Sequence, residues 1–176
     1  MDESKQAKCA AQALWYAEKA CGPDFPRITA EEAMSAQNII IVDVRTAAEQ
    51  AVGMIPGALT KETFERRLEE TPAAVPGGTI VAPYCTVGFR SGQYAKALVA
   101  RGIKDVRNHE GVLMHTFHGE LVLPGEAGKG SSGIRRVHTY AHPWSGLCNP
   151  SFEEVQFGLW DLACSAVGRG PAAEPK

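Results

Sequence analysis

The chain has 176 residues, a formal net charge of −2, and 44% hydrophobic against 22% charged residues. That suffices for one domain of about 100–150 residues with appended segments, with a core large enough to need no staples. The Lys and Arg residues are scattered, Arg135–Arg136 being the densest group, which argues against nucleic acid or a membrane surface as the main partner.

Residues 5–21 read as an amphipathic helix, with Ala7, Ala10, Leu14, Ala17 and Cys21 near helical spacing, stopped by Gly22-Pro23. Thr29-Ala30-Glu31-Glu32 matches a capping box and predicts a short helix to about Gln37. Ile39-Ile40-Ile41-Val42 is a continuous β-branched run, as expected of a strand buried on both faces of a parallel sheet. Met54 to Ala58 is an extended piece with a turn, and residues 61–70 look helical. Pro76-Gly77-Gly78 turns the chain into a strand over Thr79–Tyr84. Cys85 to Arg90 is a loop, and Ser91 is expected to cap a helix from Gly92 to about Ala100. A short strand at Asp105–Asn108 and a helix over 110–117 follow. Strands alternating with helices imply an α/β fold with a mostly parallel sheet.

The remainder reads as appendages. Residues 1–26 form an N-terminal helical extension to a domain over 27–123. A Gly-, Ser- and Pro-rich linker spans 124–133. Residues 134–176 form a C-terminal extension, with a strand over Ile134–Tyr140, a helix over 152–166 containing Trp160, and a disordered tail from Gly168. Trp144 and Trp160 suggest that 134–165 folds back onto the domain.

Five cysteines, Cys9, Cys21, Cys85, Cys148 and Cys164, include no Cys-x-x-Cys pair. An odd count without that spacing disfavours a disulfide framework or a zinc ribbon. Reduced thiols in a cytoplasm-like compartment fit better, with a plastid or mitochondrion left open where a transit peptide has been removed. The start Met1-Asp2-Glu3-Ser4 resembles no signal peptide, and no apolar run reaches the ~18–20 residues of a membrane span. His138, His142 and Cys148 are weighed as metal ligands, but ordinary histidines are the preferred reading. No cofactor or metal is expected. Cys148 and Cys164 as resolving thiols are likewise outweighed by packing roles.

The informative arrangement is strand, Cys85, a tight Gly-containing loop, then a helix. A residue at the C-terminal end of a central parallel strand sits where α/β proteins bind ligands. Successive amides in such a loop form an anion nest, and the following helix adds positive partial charge at its N-terminus. These features favour Cys85 as thiolate, the nucleophilic form. Gly88 permits a positive φ, and Arg90 can engage an oxyanion such as the end of thiosulfate. His115 or His118 could face the same pocket. The candidate site is therefore Cys85 as nucleophile, with Thr86, Val87, Gly88, Phe89, Arg90 and Ser91 binding substrate.

From Ile28 to Val122 the sequence resembles the rhodanese superfamily. Ile41-Val42-Asp43-Val44-Arg45 with Glu49, Gly53-Met54-Ile55-Pro56-Gly57-Ala58, Tyr84-Cys85 through Arg90-Ser91, and Asn108-His109-Glu110-Gly111 carry the resemblance in order. Met54 stands where the family usually has His, and a common Trp is absent near His115. The resemblance implies a five-stranded parallel sheet flanked by helices on both faces, and transfer of sulfane sulfur through a Cys85 persulfide. The implied donor is thiosulfate or a persulfide and the acceptor a thiol or cyanide, with a protein thiol a further acceptor; no nucleic acid or membrane partner is implied. Asp43 and Arg45 would be structural, with Arg45 and Glu49 placed for an i,i+4 contact. The related phosphatases and arsenate reductases carry one residue more between Cys and Arg than Thr86, Val87, Gly88 and Phe89 supply. The shorter loop suits sulfur better than a tetrahedral oxyanion. A phosphatase or arsenate reductase, and a non-catalytic binding module, are the alternatives.

Overall fold

The computed structural model describes residues 3–71, 75–126, 133–140 and 143–157. Helix α1 (Glu3–Cys21) leads through β1 (Arg27–Ile28) to α2 (Ala30–Ser35) and β2 (Ile39–Asp43). Next come α3 (Ala47–Val52), β3 (Leu59–Thr60), α4 (Lys61–Glu70) and β4 (Ile80–Tyr84). They are followed by α5 (Phe89–Ala100), β5 (Asn108–His109), α6 (Val112–His115), β6 (Arg136–His138) and β7 (Glu153–Val155). None of the described helices is long and apolar enough to cross a membrane.

Local sequence sets most of these boundaries. The Thr29 hydroxyl accepts the Glu32 N–H while the Glu32 carboxylate accepts the Thr29 N–H, so the predicted capping box forms. Thr46 and Glu49 make a second box at the start of α3, a Thr-x-x-Glu signal the sequence reading passed over. Gly78, at φ +79°, turns the chain after Pro76, whose carbonyl accepts the Thr79 N–H.

β2 is the centre of a parallel ladder β3-β2-β4, with Ile39 opposite Ile80 and Asp43 opposite Tyr84. β1 and β5 form a second parallel pair. Between Asp105 and Arg107 only the two bonds around Val81 connect the ladders, giving a single parallel bridge at Val106. The expected five-stranded sheet is thus seen as two short parallel ladders with one bridge between them. Residues of alternate parity face opposite layers. Ile40, Val42 and Val81 pack with Phe64 of α4 and Tyr94, Ala95 and Leu98 of α5. Ile39, Ile80 and Ala82 pack with Ala33 of α2, and Ile41 and Tyr84 share a cluster with Leu113 and Met114 of α6. Helices therefore cover both faces, which is why the 39–42 run is apolar throughout.

Three expectations are corrected. The buried face of α1 is Cys9, Ala13 and Ala17, while Leu14 is 43% exposed. The small residues let α1 lie against α5 so closely that a Cβ on Gly92 would sit 2.8 Å from the Ala20 Cβ. Ser91 does not cap α5. Gly88, in the left-handed region at φ +89°, takes that position and starts the helix at Phe89. Finally, no helix begins at 152. Residues 153–155 are strand β7, parallel to β6 from Arg136 opposite Glu153 to His138 opposite Val155. A strand partner satisfies this backbone, and Phe157 stacks on His138 with ring centroids 4.2 Å apart. Trp160, Cys164, His142, most of the linker and the tail lie outside the described residues. Val137, Cys148 and Phe152 join the same core cluster as Tyr84 and Leu113.

Two buried histidines make the fold sensitive to acid. The Gly111 N–H donates to His109 Nδ1 at 2.9 Å, a bond that requires the neutral imidazole. Burial, with the nearby His115 and His118, pushes His109 down to about 3. Burial also pushes His115 down to about 4, although a bond to the Glu120 carbonyl opposes the shift. The unfolded chain then binds protons that the folded chain refuses. Their contribution is complete above about pH 6.5 and is lost as pH falls toward these lowered values, at up to about 1.4 kcal/mol per pH unit for each His. Burial raises the Glu110 carboxyl, which partly offsets this loss. The urea midpoint should fall clearly between about pH 7 and about pH 4.5, and a constant midpoint would refute the assignment.

Candidate functional site

Cys85 follows the last residue of β4, and the chain turns there into α5. Its carbonyl accepts the Val112 N–H at 2.8 Å, and the Thr86 carbonyl accepts that of Leu113 at 3.4 Å. The loop therefore rests on the start of α6. Gly111 makes this approach feasible. It lies at φ +108°, and a Cβ there would come within 2.3 Å of the Thr86 oxygen. On the other side, Asn108 Nδ2 donates to the Gly88 carbonyl at 2.9 Å. Ser91 Oγ donates to Asn108 Oδ1 at 2.8 Å and lies 3.6 Å from Cys85 Sγ. The Ser91 hydroxyl, with its one proton, links the sulfur to the asparagine.

Cys85 is 2% exposed, yet it forms part of the wall of a cavity of about 350 Å³. Thr86, Val87, Phe89 and Arg90 line the same cavity, joined by Tyr16, Tyr140 and Trp144. Gly88 and Ser91 lie behind this wall. Among the described residues, no acceptor takes the N–H groups of Thr86, Val87, Gly88, Phe89 or Arg90. Neither His115 nor His118 reaches the cavity. His115 borders a separate groove with Ile55 and Leu121, and His118 faces Gln6.

Arg90 is held from outside the loop. Its Nη1 and Nη2 donate to the two oxygens of Glu49 at 2.9 and 2.7 Å, and Nη2 also reaches Thr86 Oγ1 at 3.2 Å. Glu49 also accepts the Thr46 N–H, and His138 Nδ1 lies 3.7 Å from it. Burial alone would raise the Glu49 carboxyl. The Arg90 bonds and charge, the nearby His138 ring and the Thr46 amide outweigh it and hold the group well below the usual carboxylate range. The expected contact between Arg45 and Glu49 is therefore not made. Arg45 is claimed by Asp43, through Nε at 3.0 Å and Nη2 at 2.7 Å, and by the Gly53 carbonyl at 2.7 Å. Tyr84 donates its hydroxyl to the same Asp43 carboxylate and accepts the Ile55 N–H. Asp43 and Arg45 thus staple β2, β4 and the 53–55 segment from inside the core.

Burial pushes the Cys9 and Cys148 thiols up to about 12, and for Cys148 the nearby Glu154 adds to the shift. Both are packing residues near neutral pH. Among the described residues no three His, Cys, Asp or Glu converge as a metal set. The sequence reading missed Tyr16, Tyr140 and the role of Glu49. Glu49 was legible as a capping residue, but no local pattern connects it with Arg90.

The Rhodanese-like domain model matches residues 28–113. A curated protein named Sulfurtransferase, from Allochromatium vinosum, is 33% identical over 93 residues, covering 51% of this chain and 83% of that protein. A solved structure from Rhodopseudomonas palustris, of unknown function and described as a possible tyrosine phosphatase, is 23% identical. It covers 64% of this chain and 93% of its own, with a TM-score of 0.48. A rhodanese-like domain protein from Staphylococcus aureus is 28% identical, covering 57% of this chain and all (100%) of its own, with a TM-score of 0.45. The matched residues include the Cys85 loop and the β4–α5 turn that presents it, and the chain belongs to the rhodanese-like domain family.

Proposed function

We propose that this protein is a sulfurtransferase that carries sulfane sulfur as a persulfide on Cys85. The observation that carries the reading is Cys85 in a cavity wall, beside the consecutive amides of Thr86 to Gly88 in the loop and Phe89 and Arg90 at the head of α5, from which no described backbone carbonyl accepts. Such amides can hold a sulfur anion without a titrating group. In the first step the Cys85 thiolate attacks the outer sulfur of thiosulfate or of a persulfide. A Cys85 S–S bond forms, the donor's S–S bond breaks, and sulfite or a thiolate leaves with the electron pair. A thiolate acceptor, free or on a protein, or cyanide then attacks the terminal sulfur and restores the Cys85 thiolate. Ser91 Oγ lies 3.6 Å from Cys85 Sγ, so its one proton can turn from Asn108 Oδ1 to a charged Cys85 sulfur, and Arg90 borders the path. Reading the parallel ladders and their bridge as one five-stranded sheet in the order β1-β5-β4-β2-β3 supports this proposal, because loops that follow the carboxyl ends of such strands bind ligands. A reducing, cytoplasm-like compartment suits the thiol chemistry.

Intact mass before and after thiosulfate tests the reading. Wild type should gain one sulfur atom on Cys85, and Cys85→Ser should gain none. Full thiosulfate:cyanide turnover in Cys85→Ser would overturn it. Hydrolysis of an aryl phosphate should be poor, because the loop spans only Thr86 to Phe89 between Cys85 and Arg90.

A further inference from the structure

Strand β6 lies outside the matched stretch, yet it packs against the helix whose carboxylate holds Arg90. A Cβ on Gly53 would sit 2.9 Å from the Arg136 carbonyl oxygen, so the strand runs directly past the end of α3. Its last residue, His138, is 0% exposed, with Nδ1 3.7 Å from Glu49 Oε1. Phe157 stacks on the ring at 4.2 Å and 28°, and Tyr140 meets it edge-on at 6.0 Å and 82°. These aromatic contacts fix the ring plane. The Tyr140 ring also carries the Arg90 guanidinium, with Cζ 5.5 Å from its centroid.

The two oxygens of Glu49 are held unequally. Oε2 accepts the Thr46 N–H and hydroxyl, at 3.0 and 2.9 Å, and also Arg90 Nη1. Among the described residues, Oε1 accepts from Arg90 Nη2 only, with the His138 ring beside it. Nη2 is the nitrogen that also reaches Thr86 in the Cys85 loop, so Oε1 holds the end of Arg90 that touches the loop. His138 has an unmet need of its own, since neither ring nitrogen has a hydrogen-bond partner among the described residues. An imidazole carries at least one N–H, and leaving it buried without an acceptor costs free energy. With a proton on Nδ1, the ring and Oε1 can satisfy each other across a gap just beyond hydrogen-bond length.

Resting on the persulfide reading above, we propose that His138 is a positioning residue of the Cys85 site. Its Nδ1–H donates to Glu49 Oε1 and fixes the carboxylate. Through Glu49 it holds the Arg90 guanidinium where an anion approaching Cys85 meets it. The segment that follows the matched stretch thereby becomes part of the site's working parts, reaching the sulfur through two intervening side chains.

The test uses the whole protein and first two alkylating reagents that need no sulfur transfer. Iodoacetate is an anion and iodoacetamide is neutral. The ratio of their rates at Cys85, divided by the same ratio for a free small thiol, reads the Arg90 charge at the sulfur. His138→Phe keeps an aromatic ring for Phe157 but removes the donor. The ratio should fall at least about fivefold, with the iodoacetamide rate within about twofold of wild type. His138→Asn, whose amide can stand in for Nδ1, should bring the ratio back to within about twofold of wild type. In an Arg90→Met background, His138→Phe should change the ratio no further, because the effect runs through Arg90. With thiosulfate, His138→Phe should need about fivefold more donor for half-maximal sulfur gain, at a limiting rate within about twofold of wild type. If His138→Phe does not fold, His138→Leu against His138→Asn makes the same comparison. An unchanged ratio, an equal fall with both reagents, or a fall that persists without Arg90 would overturn the inference, and sulfur gain from thiosulfate would still leave transfer standing. If thiosulfate never loads Cys85 yet the ratio behaves as expected, the positioning role holds and sulfur transfer falls. Failure of both would overturn both.

Discussion

Replacing Asp43 with alanine should cost about 3–5 kcal/mol of stability, the range seen when one partner of a buried ion pair is removed. Both side chains of the Asp43–Arg45 pair are 0% exposed. The truncation leaves the Arg45 guanidinium charged in the core, and strips the Tyr84 hydroxyl of its acceptor. Since domains of this size are stable by only about 5–15 kcal/mol, the variant should be close to unfolding at physiological temperature. Urea denaturation checks the value. A loss below about 1 kcal/mol would show that the staple is dispensable. Asp43→Asn keeps an acceptor for Tyr84 but removes the charge, so it should fall between wild type and alanine.

The second large effect is expected at Glu49. Glu49→Gln preserves shape and the Thr46 contacts but leaves Arg90 without its counter-charge. The Arg90 side chain is 34% exposed, so water can recover part of the loss, and about 2–3 kcal/mol is the expected cost. Adding Arg90→Met should restore part of that stability, because the double variant holds no unpaired charge. Strict additivity of the two single losses in denaturant would show that the pair is not coupled. Sulfur uptake should also slow in Glu49→Gln, since Arg90 then loses one of the two carboxylate acceptors that fix it beside Cys85. The pairing connects α3 to the loop at the head of α5, elements that have no sequence neighbourhood in common.

Much of this architecture is legible locally. The Ile39–Val42 run, the Thr29 box and the turn at Gly78 each act within a few residues, and each formed where the pattern placed it. The Cys85 loop is legible for the same reason: strand, cysteine, glycine and helix are consecutive. The misreadings share one cause. Ser91 has the chemistry of a cap, but Gly88 takes the position by reaching a left-handed conformation, and the Ser91 hydroxyl is drawn to Asn108. Glu49 has the spacing to meet Arg45, but Asp43 lies closer to that guanidinium and is fully buried with it. Residues 152–157 carry apolar side chains at helix-like spacing, yet the open edge of β6 offers backbone partners that a short helix cannot match.

By itself the sequence determined the alternation of strands and helices, the family, and the cysteine at a strand end. Those properties depend on neighbours along the chain and on ordered motifs. Tertiary structure alone decided which carboxylate holds Arg90, how close α1 approaches α5, and which rings enclose Cys85. Tyr16 and Trp144 are far apart in sequence and meet only because Cys9, Ala13 and Ala17 bury one face of α1 while Cys148 and Phe152 anchor the later segment in the same core. Packing of that kind has no periodicity to read. It arises from the volumes and charges that remain once the local elements have formed.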